Sequence, residues 1–493
     1  MQKDEPFRVA VVGGGIGGAS SAYFLRKIFG DKVSITLFEK SGQIGGRIKA
    51  VPFCGAIRES GASTIHSSNM YMIRFAQEFK IPINPIETAD HRLLLFQEGY
   101  KPVFSDVTQK TSFLTPLRLF WRYGLSLLHA RFYLMGKIQE FKQIYTLQNR
   151  GECFTTPGLL LKALSKQFPE MTKYTFTEWM RKEMGLNERY INEFAFGIFS
   201  NNYCQNSMDA HGFVGLISSA CMISQVYTVE NGAEQIPQKL VESALAGNPA
   251  GVPKEFIHAT VKKIIRTDND RLRLSYDLAD SNKTEEGLFD YVILSLPLHQ
   301  ESNISTSDDI KLPKLKYHEM CRTFLSGQIN YSLFDLPLNC LQPNQLASFL
   351  PTSSYYLHEK YPVRSISQLP VKSNNSDANN DSVWTIFSES KYLPDPKTSL
   401  PKLMQNYNQI DVVRWLAYPT YHPVSDPYTD LGQFKLASRV FYPNAIESAA
   451  SCMEMAIIGG RNVALLIANE MKQLTEENKE TPQSTSLINH IKK

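Results

Sequence analysis

The sequence has no paired cysteine motif. Its seven cysteines (Cys54, Cys153, Cys204, Cys221, Cys321, Cys340 and Cys452) are scattered without a C-x-x-C spacing, which excludes the usual zinc and thioredoxin-type sites, and an odd number leaves at least one free thiol. No metal site is expected. Nor does one charge dominate: 52 Lys+Arg stand against 48 Asp+Glu, too even for a nucleic-acid binder. No repeat at a fixed period is visible, which argues against solenoids and propellers. Met1 to Arg8 carries no apolar leader, so a cytoplasmic protein is expected unless a leader has been removed. The longest uncharged stretch, 212–229, is interrupted by Ser218, Ser219, Ser224, Gln225 and Thr228; it is marginal as a membrane span and reads as buried core.

What is present is apolar and aromatic mass. Hydrophobic residues make up 43% of the 493, with 28 Phe and 23 Tyr, enough for about three domains' worth of core. Phe7 to Val12 is a short β-branched run. Glycines follow at once, then an Ala/Leu-rich helical pattern through Lys27, and Val33 to Phe38 reads as a second strand. That is the opening of a βαβ unit and hence of a parallel sheet. Phe289 to Leu296 reads as a further strand, and Ala445 to Leu474 as a long buried helix. Two blocks rich in Tyr, Phe, Pro and Asn separate these pieces. The expected division is a discontinuous nucleotide-binding domain (1–90, 211–300, 421–474), an inserted substrate domain (91–210, 301–420) and a flexible tail (475–493). The polar run 372–382 is expected to be a loop.

Gly13-Gly14-Gly15-Ile16-Gly17-Gly18 is a G-x-G-x-x-G between strand and helix. Gly13 permits the tight turn, Gly15 lets a pyrophosphate approach the backbone, and Gly18 lets the helix pack on the sheet. Gly17 lies in the same turn, where free N–H groups at the helix start would hold phosphate. Glu39, followed by Lys40, ends the second strand, where a carboxylate accepts hydrogen bonds from ribose hydroxyls. Gly45-Gly46-Arg47 follows shortly after. This order resembles the two-dinucleotide-binding-domain flavoproteins, in which the doublet lies beside the FAD pyrophosphate, and it implies FAD rather than NAD.

The resemblance narrows further along the chain. Ser60-Gly61-Ala62-Ser63-Thr64-Ile65-His66, Phe120-Trp121-Arg122-Tyr123-Gly124, Asn202-Tyr203, Trp384-Thr385-Ile386-Phe387-Ser388, Trp415-Leu416-Ala417-Tyr418-Pro419 and Ile446 to Met455 resemble the prenylcysteine oxidases, in order and over nearly the whole chain. The resemblance implies an α/β Rossmann-like fold of the glutathione-reductase/amine-oxidase kind, with an inserted α+β substrate domain. It also implies an FAD-dependent thioether oxidase that converts farnesyl- or geranylgeranyl-cysteine to a prenyl aldehyde, free cysteine and hydrogen peroxide. O2 would be the acceptor, and the route of the protein secretory and lysosomal. Cofactor contacts are implied for Gly61, Ala62 and Glu447, and an adenine-side strand at Val261. His66 is a catalytic candidate, though a lone histidine is more often structural. Trp121, Tyr123, Tyr203, Trp415 and Tyr418 are candidates for the substrate pocket. Cys452 invites a covalent flavin bond, but a buried small residue is the stronger reading, so FAD is expected to be non-covalent.

Phe113 to Lys142 has two readings of its own. It is dense in Leu and aromatics and holds Arg118, Arg122, Arg131, Lys137 and Lys142 against Glu140 alone. One reading is a lipid-handling surface that touches anionic membrane or lines the substrate pocket. The other, preferred for membrane contact, is an amphipathic helix pair with solvated arginines. The chain departs from the family's Glu-Gly-Gly near residue 230, reading Glu230-Asn231-Gly232-Ala233; Asn tolerates the positive φ of such a turn better than most residues. Sequons at Asn282, Asn303, Asn330, Asn374 and Asn380 support secretion mildly. Other functions on this architecture are a flavin amine oxidase, an isoprenoid desaturase, or a prenyl-holding escort or GDP-dissociation-inhibitor-like protein without FAD. The last would tolerate a degenerate phosphate turn.

Overall fold

A computed structural model describes residues 5–480 apart from 87–90, 110–112, 250–254, 282, 300–301, 343–344, 360–362, 371–381 and 391–401. The polar run at 372–382 (except Ser382), the sequon residues Asn282, Asn374 and Asn380, and the tail beyond Glu480 lie outside the described residues. Phe7–Val12 is the central strand of a nine-stranded sheet, with Val33–Glu39 and Tyr291–Leu294 parallel on either side. Helices cover such a sheet on both faces, so its strands are apolar throughout; every residue of Val33–Glu39 is buried. Helix Ile16–Phe29 returns across the sheet and packs between Gln235–Ala246 and the last helix, Met453–Glu480.

The second sheet has seven strands: Met404–Pro419, Tyr317–Ile329, Ser382–Glu389, Val363–Leu369, Ala347–Pro351, Arg92–Phe96 and Pro102–Ser105, in that order. It carries its own apolar core around Phe96, Phe349 and Trp384. Inside it Arg364 pairs with Glu389, both buried, and the Arg364 guanidinium stacks on Tyr356. The helices between Thr115 and Tyr203 join the other core: Tyr123, Leu134, Phe141 and Phe168 are buried in one cluster with the nucleotide sheet. Of the stretch expected as inserted domain, the helices between Thr115 and Tyr203 thus extend the first core, while the seven strands above and helix Ser353–His358 build the second.

Three expected elements differ. The run 289–296 is two strands, Thr284–Phe289 and Tyr291–Leu294, because Asp290 lies between an antiparallel edge and the parallel core. There its carboxylate accepts the Arg8 N–H at 2.7 Å and pairs with Arg271 at 3.0 Å. The helix expected from Ala445 begins only at Met453, after a 3-10 turn at Pro443–Ser448. Tyr421 supplies the reason, since its O–H accepts the Ser451 N–H at 2.9 Å and holds the connecting backbone out of the helix. That helix runs on to Glu480, so the first residues of the expected tail are helical. The segment 212–229 folds as helix Gly212–Ser219, a turn and strand Val226–Val229. No helix among the described residues is long and apolar enough to cross a membrane.

Candidate functional site

A cleft of about 400 Å³ opens where the parallel strands end, the switch-point position that open α/β sheets offer to ligands. Gly13, Gly15 and Gly17 form one wall, and Trp415 and Tyr418 line it from the long strand of the second sheet. The glycine turn is held from two sides. Glu39 accepts the Gly14 N–H at 2.7 Å with one carboxylate oxygen and Ser41 with the other. Gly45 donates its N–H to the Gly14 carbonyl at 3.0 Å, and Gly46 approaches so closely that a Cβ there would stand 3.0 Å from the Gly15 Cα. Both doublet glycines have positive φ, so the pair is required by conformation and by contact.

The cradle fits a dinucleotide. Gly15, the N-cap of its helix, has ordinary extended φ and ψ, and a Cβ added there would meet only the Gly46 Cα, at 3.9 Å, before projecting into the cleft. Glu39 keeps acceptor capacity for ribose hydroxyls, since each carboxylate oxygen has two lone pairs. Ala259, Thr260 and Val261 border the same cleft from strand Glu255–Arg266, where the ladder bulges between Val261 and Lys263. On the far side Ser451, Cys452 and Met453 bring the start of the last helix to the cleft. Two helix N-termini, those at Ile16 and Met453, therefore supply positive partial charge to it.

Arg47 joins the parts. Its guanidinium grips Glu447 bidentately and donates to the Ala417 carbonyl at 2.9 Å. Glu447 is also held by Asn444 at 2.7 Å and by the Tyr317 O–H at 3.0 Å. Burial alone would lower the Arg47 pKa, but the charge and hydrogen bonds of Glu447 hold it above its ordinary value. The sequence suggests Arg47 and Glu447 as separate cofactor contacts; both line the cleft, and the structure joins them in one ion pair, Glu447 buried and Arg47 half-buried. Tyr317, Asn444 and Ser295, absent from the sequence expectations, complete it, and no short motif marks them.

The other candidates divide. Lys40, Ala62, Trp415, Tyr418 and Cys452 line the cleft. Burial pushes the Cys452 thiol up to about 12, so it is protonated and inert. Gly61 and Gly18 are packing residues: a Cβ on Gly61 would overlap the Arg47 carbonyl, and one on Gly18 the Gly13 carbonyl. His66 is structural. Its Nδ1 accepts the Ser68 N–H at 3.1 Å and its Nε2 donates to the Ala220 carbonyl at 2.7 Å, which leaves no lone pair for proton transfer. Tyr203 lies behind Tyr418, with ring centroids 4.9 Å apart. Tyr123 is buried against Glu193, and Trp121 is on the surface, 81% exposed. Neither lines the cleft. The inner face of the 113–142 helices borders a void of about 10 Å³, room for about one water rather than a prenyl chain. Asn231 takes φ +61° in the altered turn, and the Ala233 N–H donates to Glu59 at 2.7 Å.

Two carboxyls outside the lining of the cleft, Glu454 buried and Glu59 half-buried, are raised by burial. Glu454, in the first turn of the last helix, accepts the N–H groups of Tyr71 and Met72 and the Tyr145 O–H, yet burial raises it to about 7. Burial likewise raises Glu59 to about 7. A carboxyl raised on folding binds its proton more tightly in the native state, so its contribution to stability is full below the unfolded pKa and is lost as pH rises. Glu454→Gln should therefore gain on wild type by roughly 1.4 kcal/mol per pH unit between about 4.5 and 7, then level off. Urea titrations of both proteins across that range check this; a constant offset would refute it.

Comparison with known proteins agrees with this architecture. A model of the prenylcysteine lyase family matches residues 107–480, and one of the NAD(P)-binding Rossmann-like domain matches 11–79. Prenylcysteine oxidase 1 of Mus musculus is 30% identical over 471 residues, covering 94% of this chain and 88% of the mouse protein. The Homo sapiens protein of that name is 28% identical over 467 residues with the same coverage, and Homo sapiens prenylcysteine oxidase 1-like is 28% identical over 489 residues, covering 95% and 91%. Among solved structures, putrescine oxidase bound to putrescine aligns with a TM-score of 0.57 at 13% identity over 94% of this chain and 99% of that one. Cyclohexylamine oxidase from Brevibacterium oxydans aligns at 0.58 and 12% over 95% and 100%. At such identities these two speak for the fold alone. The chain belongs to the prenylcysteine lyase family.

Proposed function

We propose that this protein is an FAD-dependent oxidase of prenyl-L-cysteine, binding the cofactor non-covalently. The observation that supports it most is the facing of Trp415 and Tyr418 to the glycine cradle within one cleft. When bound, FAD supplies a two-electron acceptor for the carbon next to sulfur and passes the electrons to O2. The net change consumes thioether, water and O2 and gives prenyl aldehyde, cysteine and hydrogen peroxide. The side chains have to bind and orient. Gly13, Gly15 and the Ile16 helix start would take the pyrophosphate, Glu39 the ribose, and the Met453 helix start would favour negative charge at its end of the cleft. The intact cradle speaks against an escort protein that works without a cofactor.

Arg322, behind the residues that line the cleft, is the candidate receptor for the amino-acid end. It is buried, stacked between Phe324 and Phe387, and its Nε donates to Thr385. Phe387, Trp415 and Tyr418 pack on the same small apolar cluster of Cys204, Met320 and Ala417. Burial lowers Arg322 only to about 10, so it stays charged near neutral pH. Among the described residues its guanidinium makes the one hydrogen bond from Nε, and Glu59, close enough to act on its charge, makes no ion pair with it. Arg322 would accept a carboxylate and Glu59 an ammonium group, the two ends of a zwitterion. Anaerobic mixing with farnesylcysteine should bleach the flavin, and in air cysteine and peroxide should form in equal amounts. Arg322→Met should raise KM about tenfold or more while flavin content holds, the loss expected for a charged hydrogen bond. Absence of bleaching by farnesyl- and geranylgeranyl-cysteine alike would sink the reading.

A further inference from the structure

The helix pair Thr115–Tyr123 and Leu125–Phe141 presents apolar side chains outward as well as inward. The inward stripe of the longer helix, Ser126, Ala130, Leu134 and Ile138, is buried. Its outward stripe, Leu125, Leu128, Phe132 and Met135, is apolar too and exposed, Phe132 at 67%. The shorter helix and the turn before it add Phe113 at 85% and Trp121 at 81%, with Leu117 between them. More than half of the large apolar side chains exposed among the described residues fall between residues 113 and 135. Isolated exposed hydrophobics are normal, whereas a contiguous patch marks an interaction surface.

We infer that this helix pair docks on the surface of an anionic lipid bilayer. Charge selects the occupant. Between residues 113 and 139 there is no Asp or Glu. Of the carboxylates that meet the pair, Asp106 is buried against Thr115, and Glu193 and Glu140 are paired with Arg122 and Lys137. Arg131, beside Phe132, is exposed, and so is Arg189 in the groove beneath Trp121. A second copy would bring the same cations against these, whereas anionic headgroups complement them. Neither helix is long and apolar enough to span a membrane, so the pair lies in the interface plane with its aromatic side chains in the acyl boundary. Gly124, at φ +60°, sets the angle between the helices and belongs to the end of one and the start of the next.

The test is co-sedimentation of the holoenzyme with phosphatidylcholine vesicles, plain or with about a third phosphatidylserine. Wild type should bind the anionic vesicles, lose binding at high salt, and show a blue shift of Trp121 emission. Trp121→Glu with Phe132→Glu should weaken binding about tenfold or more, at an unchanged melting temperature because both side chains are exposed. Wild-type protein that stays in the supernatant would overturn the inference, as would equal binding by the variant. So would a wild-type dimer, lost in the variant, that ignores vesicles, since the patch would then serve a second copy.

Discussion

Gly15→Val should yield folded, colourless protein. The position has φ −70° and ψ 175°, a conformation open to any residue, and the nearest atom to an added Cβ is the Gly46 Cα at 3.9 Å. Nothing in the protein resists a Cβ at this position, which points into the cleft. Two further methyl groups would fill the place where a pyrophosphate meets the helix N-terminus, and a loss of at least about a hundredfold in flavin affinity, roughly 2.7 kcal/mol, is expected. Gly18→Ala behaves differently, since its Cβ would overlap the Gly13 carbonyl and strain the strand–helix packing itself. Flavin absorbance per protein, read beside the melting temperature of the apoprotein, separates the two. The first variant loses colour and keeps apoprotein stability; the second loses both. A yellow Gly15→Val protein would show that the cradle holds no pyrophosphate.

The contrast explains what the sequence could disclose. Gly13, Gly15, Glu39 and the Gly45-Gly46 doublet are legible because backbone geometry restricts them to few residue types at fixed spacing. The parallel core strands were legible for a similar reason, since burial on both faces leaves continuous apolar runs such as Val33–Glu39. Legibility fails where a residue's role depends on a distant partner. Tyr317 and Glu447 are 130 positions apart and meet through one hydrogen bond, and Arg322 acquires its surroundings from strands that pair only in the folded sheet. His66, Tyr123 and Trp121 read as site residues from sequence only because they lie within family-like segments. Local sequence gives no sign that His66 spends both nitrogens on backbone groups or that Trp121 points to solvent. The break before Met453 was hidden likewise, because the Tyr421 hydroxyl that enforces it comes from another element.

Arg47→Met should be the most destabilising change at the cleft. Glu447 is 1% exposed, and without the guanidinium it keeps only the Asn444 amide and the Tyr317 hydroxyl as donors. Removing one partner of a buried pair costs about 3–5 kcal/mol, because the remaining charge is left uncompensated. Arg47 itself is 26% exposed, so water can reach part of the vacated space and the lower end of that range is expected. Arg47→Lys should recover little, since an ammonium cannot reproduce the planar fork that holds Glu447 while reaching the Ala417 carbonyl. The decisive comparison adds Glu447→Gln. With the carboxylate neutral, loss of Arg47 leaves no orphaned charge, and the double variant should be more stable than the sum of the single changes implies by about 2 kcal/mol or more. Urea unfolding of the four apoproteins measures that coupling. Additive losses would mean that Glu447 finds another counter-charge, and the bond from Arg47 would then be incidental to closing the cleft between the two sheets.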